Sequence, residues 1–586
     1  MAYKYQKYTY NFDEFESISL EEWLKSFQAS TSRLSTPTDA HHPRVSYAAI
    51  NTDHKIPTED KARKLTPQMN VCTLEVPLRK PNELDELRTW IEGGVTGLNV
   101  PETTIGEVRQ LLSVLDHPLK LLSIEAREAE SKGVADYVDY RRLAYQTGRV
   151  LSGSVYLSTA QFSYWKKTLP NFETLARLIG DITEMPSVRV LTLPGDTFHN
   201  LGMTAVDELA TVICWLTCYF DRLTDEGVSI QELMTRTEIT LATGGDFFLD
   251  LAKFRAIRVL LDKVGQAYGH REASPAIRAV SGKLNKTLYD PDSNILRNTT
   301  EALAALLGGV DTLALLPHDF LYPTSDQFGR RLVTHLFSIL QDEAHLGKVY
   351  DPAGGSHFLE DITRQLVEKS WTLFLDFEDR GGFEKLLTSG FIESLGRESL
   401  EKQFLGVRTQ TKVLTGATRY TNRSETVNIS FPKEARLAAP FERIRSMVDR
   451  RVAQGYERPE LLLIVQDEKT SSPVINQRAH YIRDLLTSVG LAYRVHTIRA
   501  SESSSLNLPL THQSGLVFCG TNAFYESTVT ELLRSGQYES LPCWVAGGHA
   551  AINEAVQQAG GKGTLGIGYD VILPLEQLVK HLLHET

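Results

Sequence analysis

Several short clusters in this chain hold residue types and spacings that could do chemistry. Asp467-Glu468-Lys469-Thr470-Ser471-Ser472 follows the apolar run 461–465. A lysine in such a loop is either a solvated cation or a contact for a phosphate at the start of the next helix. Gly520-Thr521-Asn522 and Gly547-Gly548-His549 follow two further apolar runs. Small residues there leave room for a flat ligand, or simply permit tight turns from strand to helix. His549 has the chemistry of a metal ligand or a base, but one histidine without a partner is not a constellation. Asp351-Pro352-Ala353-Gly354-Gly355-Ser356 precedes an amphipathic stretch, where backbone N–H groups can meet an anion or merely build a turn. Gly244-Gly245-Asp246 is a similar turn and cap. No GKS/T follows the glycines, and no Ser-His-Asp, HExxH or GxSxG pattern is present.

These clusters need elements to position them. At 586 residues the chain is too long for one core, so two or more domains are expected. A hydrophobic fraction of 42% and a charged fraction of 23% fit a globular, water-soluble protein. A net charge of −11 without long Lys/Arg runs argues against nucleic acid and anionic membranes as partners. No uncharged apolar run reaches membrane-spanning length, and residues 1–20 resemble neither an export nor a transit signal. The five cysteines lack CxxC spacing; Cys214 and Cys218 share an apolar helix face and read as buried thiols. With no signal peptide, this points to a reducing, cytoplasmic setting.

Residues 1–65 are polar and irregular, and are expected to form an N-terminal arm that either wraps a partner or stays mobile. Residues 66–400 alternate apolar runs (95–100, 119–124, 188–193, 310–315) with amphipathic helices such as 204–220 and 356–378. That alternation predicts a parallel α/β fold, and a (β/α)8 TIM barrel fits the size. Residues 401–457 form a linker that includes Ser430-Phe431-Pro432 and a charged helix near Arg443 to Arg451. Residues 458–586 carry five strand candidates (461–465, 493–498, 516–519, 543–546, 564–567) separated by helices. This is a flavodoxin-like, doubly wound parallel sheet, whose ligands bind beyond the carboxyl ends of its strands.

Taken together the motifs resemble those of a known family. Tyr350 to Glu360 (YDPAGGSHFLE) is similar to the Asp-Pro-x-Gly-Gly-Ser-x-x-x-Glu segment of methylmalonyl-CoA mutases. Thr243 to Ala256 (TGGDFFLDLAKFRA) resembles the Phe-Phe-x-x-x-Ala-Lys-x-Arg-Ala helix of that family. Glu21-Glu22-Trp23-Leu24 is similar to the start of its small subunits. The resemblance runs in the same domain order over nearly the whole chain. It implies a barrel that threads the CoA chain, a C-terminal cobalamin-binding-type domain, and radical isomerisation of methylmalonyl-CoA and succinyl-CoA in propionate metabolism. The cofactor would supply the chemistry and the protein its positioning.

Departures from the pattern carry the rest. The cobalt loop of the family reads Asp-x-His-x-x-Gly; here Asp467 stands, Lys469 replaces the histidine and Ser472 the glycine. A protonated lysine has no lone pair for cobalt. The barrel histidine in Gly-Tyr-His-Met-Gln-Glu-Ala-Gly aligns with Thr197 in Gly195 to Gly202, with His199 two residues away and expected to point elsewhere. No Arg-Gln-Tyr-Ala-Gly-Phe segment precedes Gly97-Leu98-Asn99-Val100, and the region of the substrate-binding arginine is shortened. Joint loss implies a non-catalytic small subunit without catalytic, cofactor-binding or metal-ligating residues of its own. It would pair as a heterodimer with a large catalytic mutase subunit, which binds adenosylcobalamin and the acyl-CoA. Alternatives are an active mutase with water below the cobalt, needing an open pocket around Gly520 and Gly547, and an independent binding protein using its flavodoxin-like domain.

Overall fold

The computed structural model describes residues 71–75, 97–103, 119–126, 150–157, 169–181, 188–270, 274–322, 327–346, 349, 351–427, 429–467, 473–499 and 515–583. The N-terminal segment 1–65, with Glu21 to Leu24, lies outside the described residues.

Among the described residues nine strands form one all-parallel sheet: β1 (Val71–Glu75), β2 (Gly97–Thr103), β3 (Leu119–Ala126), β4 (Val150–Leu157), β5 (Val188–Arg189), β6 (Leu191–Pro194), β7 (Thr237–Thr243), β8 (Ala276–Ser281) and β9 (Thr312–Ala314). Their order is β5-β4-β3-β2-β1-β9-β8-β7-β6. The two outermost members, β5 and β6, are separated in sequence only by Val190, whose N–H donates to the carbonyl of Arg236 at 3.0 Å.

Alternation along β6 to β9 sets two faces. Leu191, Leu193, Ile239, Leu241, Ile277, Ala279 and Leu313 are buried in the main apolar core, under the helices. The opposite face is buried but polar. Thr192 pairs in register with Glu238, and Thr240 with Arg278, which pairs in turn with Thr312. Arg278 and Glu238 form an ion pair at 3.0 Å across this face.

The helices that concern the site are α1 (Asp196–Asn200), α2 (Ala205–Asp225), α3 (Phe247–Ala267), α4 (Ser293–Leu307), α5 (His357–Asp379) and α6 (Phe391–Arg408). A capping box starts α2: Thr204 Oγ1 accepts from Asp207 N–H at 3.3 Å, and the Asp207 carboxylate accepts from Thr204 N–H at 3.1 Å. Apolar residues nearly encircle α2, because it is sandwiched rather than laid on a surface. Its Trp215 stacks on Phe383 at 5.1 Å and meets Phe198 and Tyr219 edge-on. Among the described residues the element that precedes Asp351 is Gln327–Ser338, continued by a π-helical turn over Ile339–Glu343.

The connector is anchored rather than loose. Helix α7 (Ala439–Ala453) supplies Glu442, which accepts from Leu288 N–H at 2.6 Å, and Asp449, which accepts from Tyr289 Oη at 2.8 Å. The remaining described strands are β10 (Glu460–Asp467), β11 (Ala492–Arg499), β12 (Leu516–Cys519), β13 (Cys543–Ala546) and β14 (Gly563–Leu565). They form a second parallel sheet of order β11-β10-β12-β13-β14, the doubly wound order with its switch between β10 and β12. Helices α8 (Pro473–Ser488), α9 (Ala550–Gln558) and α10 (Ile572–Leu583) flank it.

Candidate functional site

The first sheet gathers charged side chains at the carboxyl ends of β7 and β8. Gly195 turns the chain from β6 into α1; a methyl there would lie 2.6 Å from Val212 Cγ2 and 2.7 Å from the Thr240 carbonyl. Only a residue without Cβ lets α1 sit so close to β7. Helix α1 carries Thr197 and His199, both partly accessible. Two glycines leave the space that the His199 ring occupies. A methyl on Gly282 would lie 2.9 Å from its Nε2, and one on Gly244 would lie 3.4 Å from its Cε1.

Below this lies a closed set of ion pairs. Lys253 Nζ sits 2.9 Å from Glu208 and 3.6 Å from Asp250, and donates to the Ala242 carbonyl at 2.5 Å. Glu208 accepts from Ala242 N–H at 3.2 Å, and Asp250 from Gly244 N–H at 2.7 Å. Beside it Lys286 meets Glu301 at 2.6 Å, and Glu301 also accepts from Thr243 Oγ1 and Asn285 Nδ2. Lys253, Glu208, Lys286 and Glu301 are each at most 2% exposed, so these pairs brace the strand ends instead of facing a substrate.

Titration follows from the arrangement. Protein around the imidazole desolvates His199, and Lys253, Lys412 and Lys286 repel a further proton, so its pKa falls well below the usual range. It therefore presents a neutral donor-acceptor ring. Burial pushes Asp250 up to about 7, against the pull of Lys253. Burial opposes the charge on Lys253, but Glu208 and Asp250 outweigh it and hold its pKa above the usual value. Burial raises Glu208 as well, against the pull of Lys253 and of the Ala242 N–H.

The two sequence clusters 244–256 and 351–360 prove to be one mechanical joint. Arg255 of α3 grips Asp351 through Nε and Nη2, both at 2.9 Å, and reaches Glu360 of α5 at 2.7 Å. Glu360 also accepts from Gly355 N–H at 3.2 Å. The glycine-rich helix start thus has its own carboxylate. Asp246 caps α3 by accepting from Leu249 N–H at 3.1 Å.

In the second sheet, Asp467 ends β10 in register with Arg499, while Lys469 and Ser472 lie outside the described residues. Beyond the ends of β12 and β13 the described residues bond one another. Gln466 Oε1 accepts from Thr521 N–H at 2.8 Å. Tyr525 Oη accepts from Gly520 N–H at 2.9 Å and donates to the Ala546 carbonyl at 2.8 Å. Arg478 of α8 donates to the Gly520 carbonyl at 2.6 Å and to Asn522 Oδ1 at 2.7 Å. His549 stands exposed ahead of α9 with no side-chain cap bond. Burial raises the thiols Cys519 and Cys543 to about 12 and Cys218 to about 11, which keeps them protonated. Among the described residues no group of three or more His, Cys, Asp or Glu could hold a metal.

The sequence profile of the family described as methylmalonyl-CoA mutase matches residues 159–459. The chain belongs to the methylmalonyl-CoA mutase family. A Mycobacterium tuberculosis (strain ATCC 25618 / H37Rv) protein named "Probable methylmalonyl-CoA mutase small subunit" is 30% identical over 383 residues, 63% of this chain and 61% of the relative. A Porphyromonas gingivalis methylmalonyl-CoA mutase small subunit is 32% identical over 246 residues, 41% of this chain and 40% of the relative. That of Propionibacterium freudenreichii subsp. shermanii is 27% identical over 305 residues, 50% of this chain and 48% of the relative. The chain thus spans about three fifths of the length of the mycobacterial relatives it matches.

Within this mutase-family chain, Thr197 carries no imidazole, but His199, two residues on in α1, lies at the same strand ends as Gly244 and Gly282. The sequence reading set His199 aside. Its neighbours come from strands far away in sequence, so only the paired small residues 244 and 282 hinted at its place. Arg478 was missed altogether. Among the described residues no helix is long and apolar enough to cross a membrane.

Proposed function

We propose that this chain is the small subunit of a heterodimeric, adenosylcobalamin-dependent methylmalonyl-CoA mutase, silent in catalysis and stabilising its large partner. The observation that carries this reading is Thr197. It lies on α1 at the position that the motif resemblance matches to the family's imidazole, and a short hydroxyl lacks the reach and the basic nitrogen of an imidazole over a substrate carbonyl. The ion pairs beneath it support the reading, because Lys253 and Lys286 are already committed to Glu208 and Glu301. Similarity to chains named small subunits points the same way.

The same reading divides the chain at about residues 65, 400 and 458. It takes the first sheet as a (β/α)8 barrel closed where β5 passes into β6. The strand order, with its two outermost members contiguous in sequence, supports closure. In this reading a corrinoid does not fit the second sheet, and the large chain holds it.

The test is co-expression with a large mutase chain. The complex should turn over methylmalonyl-CoA, and this chain alone should not. The large chain should melt at a higher temperature in the complex, as binding to the native state requires. Turnover by this chain alone at the rate of the complex would overturn the proposal.

A further inference from the structure

Ligands of a doubly wound sheet enter where the strand order reverses, between β10 and β12 here. A ligand arriving there needs space beyond the strand ends and free backbone groups to bind, and among the described residues several such groups at the ends of β12 and β13 are already bonded. The Gly520 and Thr521 N–H groups are taken by Tyr525 and Gln466, and the Ala546 and Gly520 carbonyls by Tyr525 and Arg478.

Arg478 is the element that closes the opening. Its half-buried side chain leaves the second turn of α8 and crosses the face of Tyr525, 5.3 Å from the ring centroid. It is fixed on the far side by Gly520 and Asn522. It also runs against β13: a methyl on Gly547 would lie 3.1 Å from Arg478 Nε. Gly547 has φ +66°, so a larger residue there would be strained as well as crowded. Thus the space that small residues at 520 and 547 open is used by the chain's own guanidinium. Charge-assisted bonds to a carbonyl and an amide oxygen are among the stronger polar contacts, so displacement is costly.

We propose that Arg478 is a resident plug of this crevice, and that it bars a planar cofactor of the corrinoid class from this chain. The proposal rests on the silent-subunit reading but names a separate cause, steric and polar occupation of the crevice, independent of any cobalt ligand. It also sets aside the mutase with water below the cobalt, which needs the space around Gly520 and Gly547 that Arg478 fills.

The test uses the full-length chain and hydroxocobalamin, with visible absorbance after desalting and a circular-dichroism melt to check folding. The unaltered chain should retain no corrinoid. Arg478→Ala should bind it about tenfold or more tightly than the unaltered chain. Asn522→Ala, which frees one end of the guanidinium, should gain less. A folded Arg478→Ala chain that binds no better than the unaltered one would overturn the plug and leave the silent-subunit reading standing. If Arg478→Ala fails to fold, Asn522→Ala decides by the same readout. Near-stoichiometric corrinoid on the unaltered chain would overturn both.

Discussion

Lys253 shows what single residues do at the end of the first sheet. Its ammonium is 1% exposed and ties α3 to Glu208 of α2 and to the Ala242 carbonyl. Removing one partner of a buried pair strands the other, at a cost of about 3–5 kcal/mol. Lys253→Met should therefore lower stability by that order in chemical denaturation. A change near zero would mean that the pair is dispensable. Asp250 and His199 make opposite pH contributions. Asp250 is raised in the folded state, so its contribution is full below the ordinary carboxylate pKa and is lost as pH rises to about 7. His199 is lowered, so its contribution is full above pH 6.5 and is lost as pH falls. Asp250→Asn should remove the decline between about pH 4 and 7, and His199→Gln the loss on the acid side. Melting temperatures across pH, for each variant separately, check the two signs.

At the scale of elements, α3 and α5 are joined by one guanidinium. Arg255→Ala leaves Asp351 and Glu360 crowded together without a cation and should cost about 3–5 kcal/mol. Arg255→Lys should recover only part, because an ammonium cannot grip Asp351 through two parallel bonds. Full recovery by lysine in a thermal melt would show that charge alone matters. The elements themselves were legible in the sequence where burial is two-sided. β12 and β13 coincide with the runs 516–519 and 543–546, since interior parallel strands are continuously apolar. Helix α5 follows the periodic stretch 356–378 within a residue at each end. The Arg255 joint was visible only as two separate motifs, for nothing in either run shows that it meets the other. The crevice was less legible still. Gly520 and Gly547 announced space, but a long side chain from α8 fills it, and an arginine on a helix carries no signal of where its end will rest.

At the scale of the whole molecule, the described residues at both sets of strand ends bond one another: ion pairs under the first sheet and Arg478 across the second. On the proposed reading, a chain built in this way contributes structure and surface to an assembly, while the reacting groups belong to its partner. The central claim is therefore about where the cofactor resides. The most direct measurement is the corrinoid content, by visible absorbance, of the purified complex with a large mutase chain, set against the amount of each chain. The account predicts one corrinoid for every heterodimer. Two corrinoids per heterodimer would contradict it.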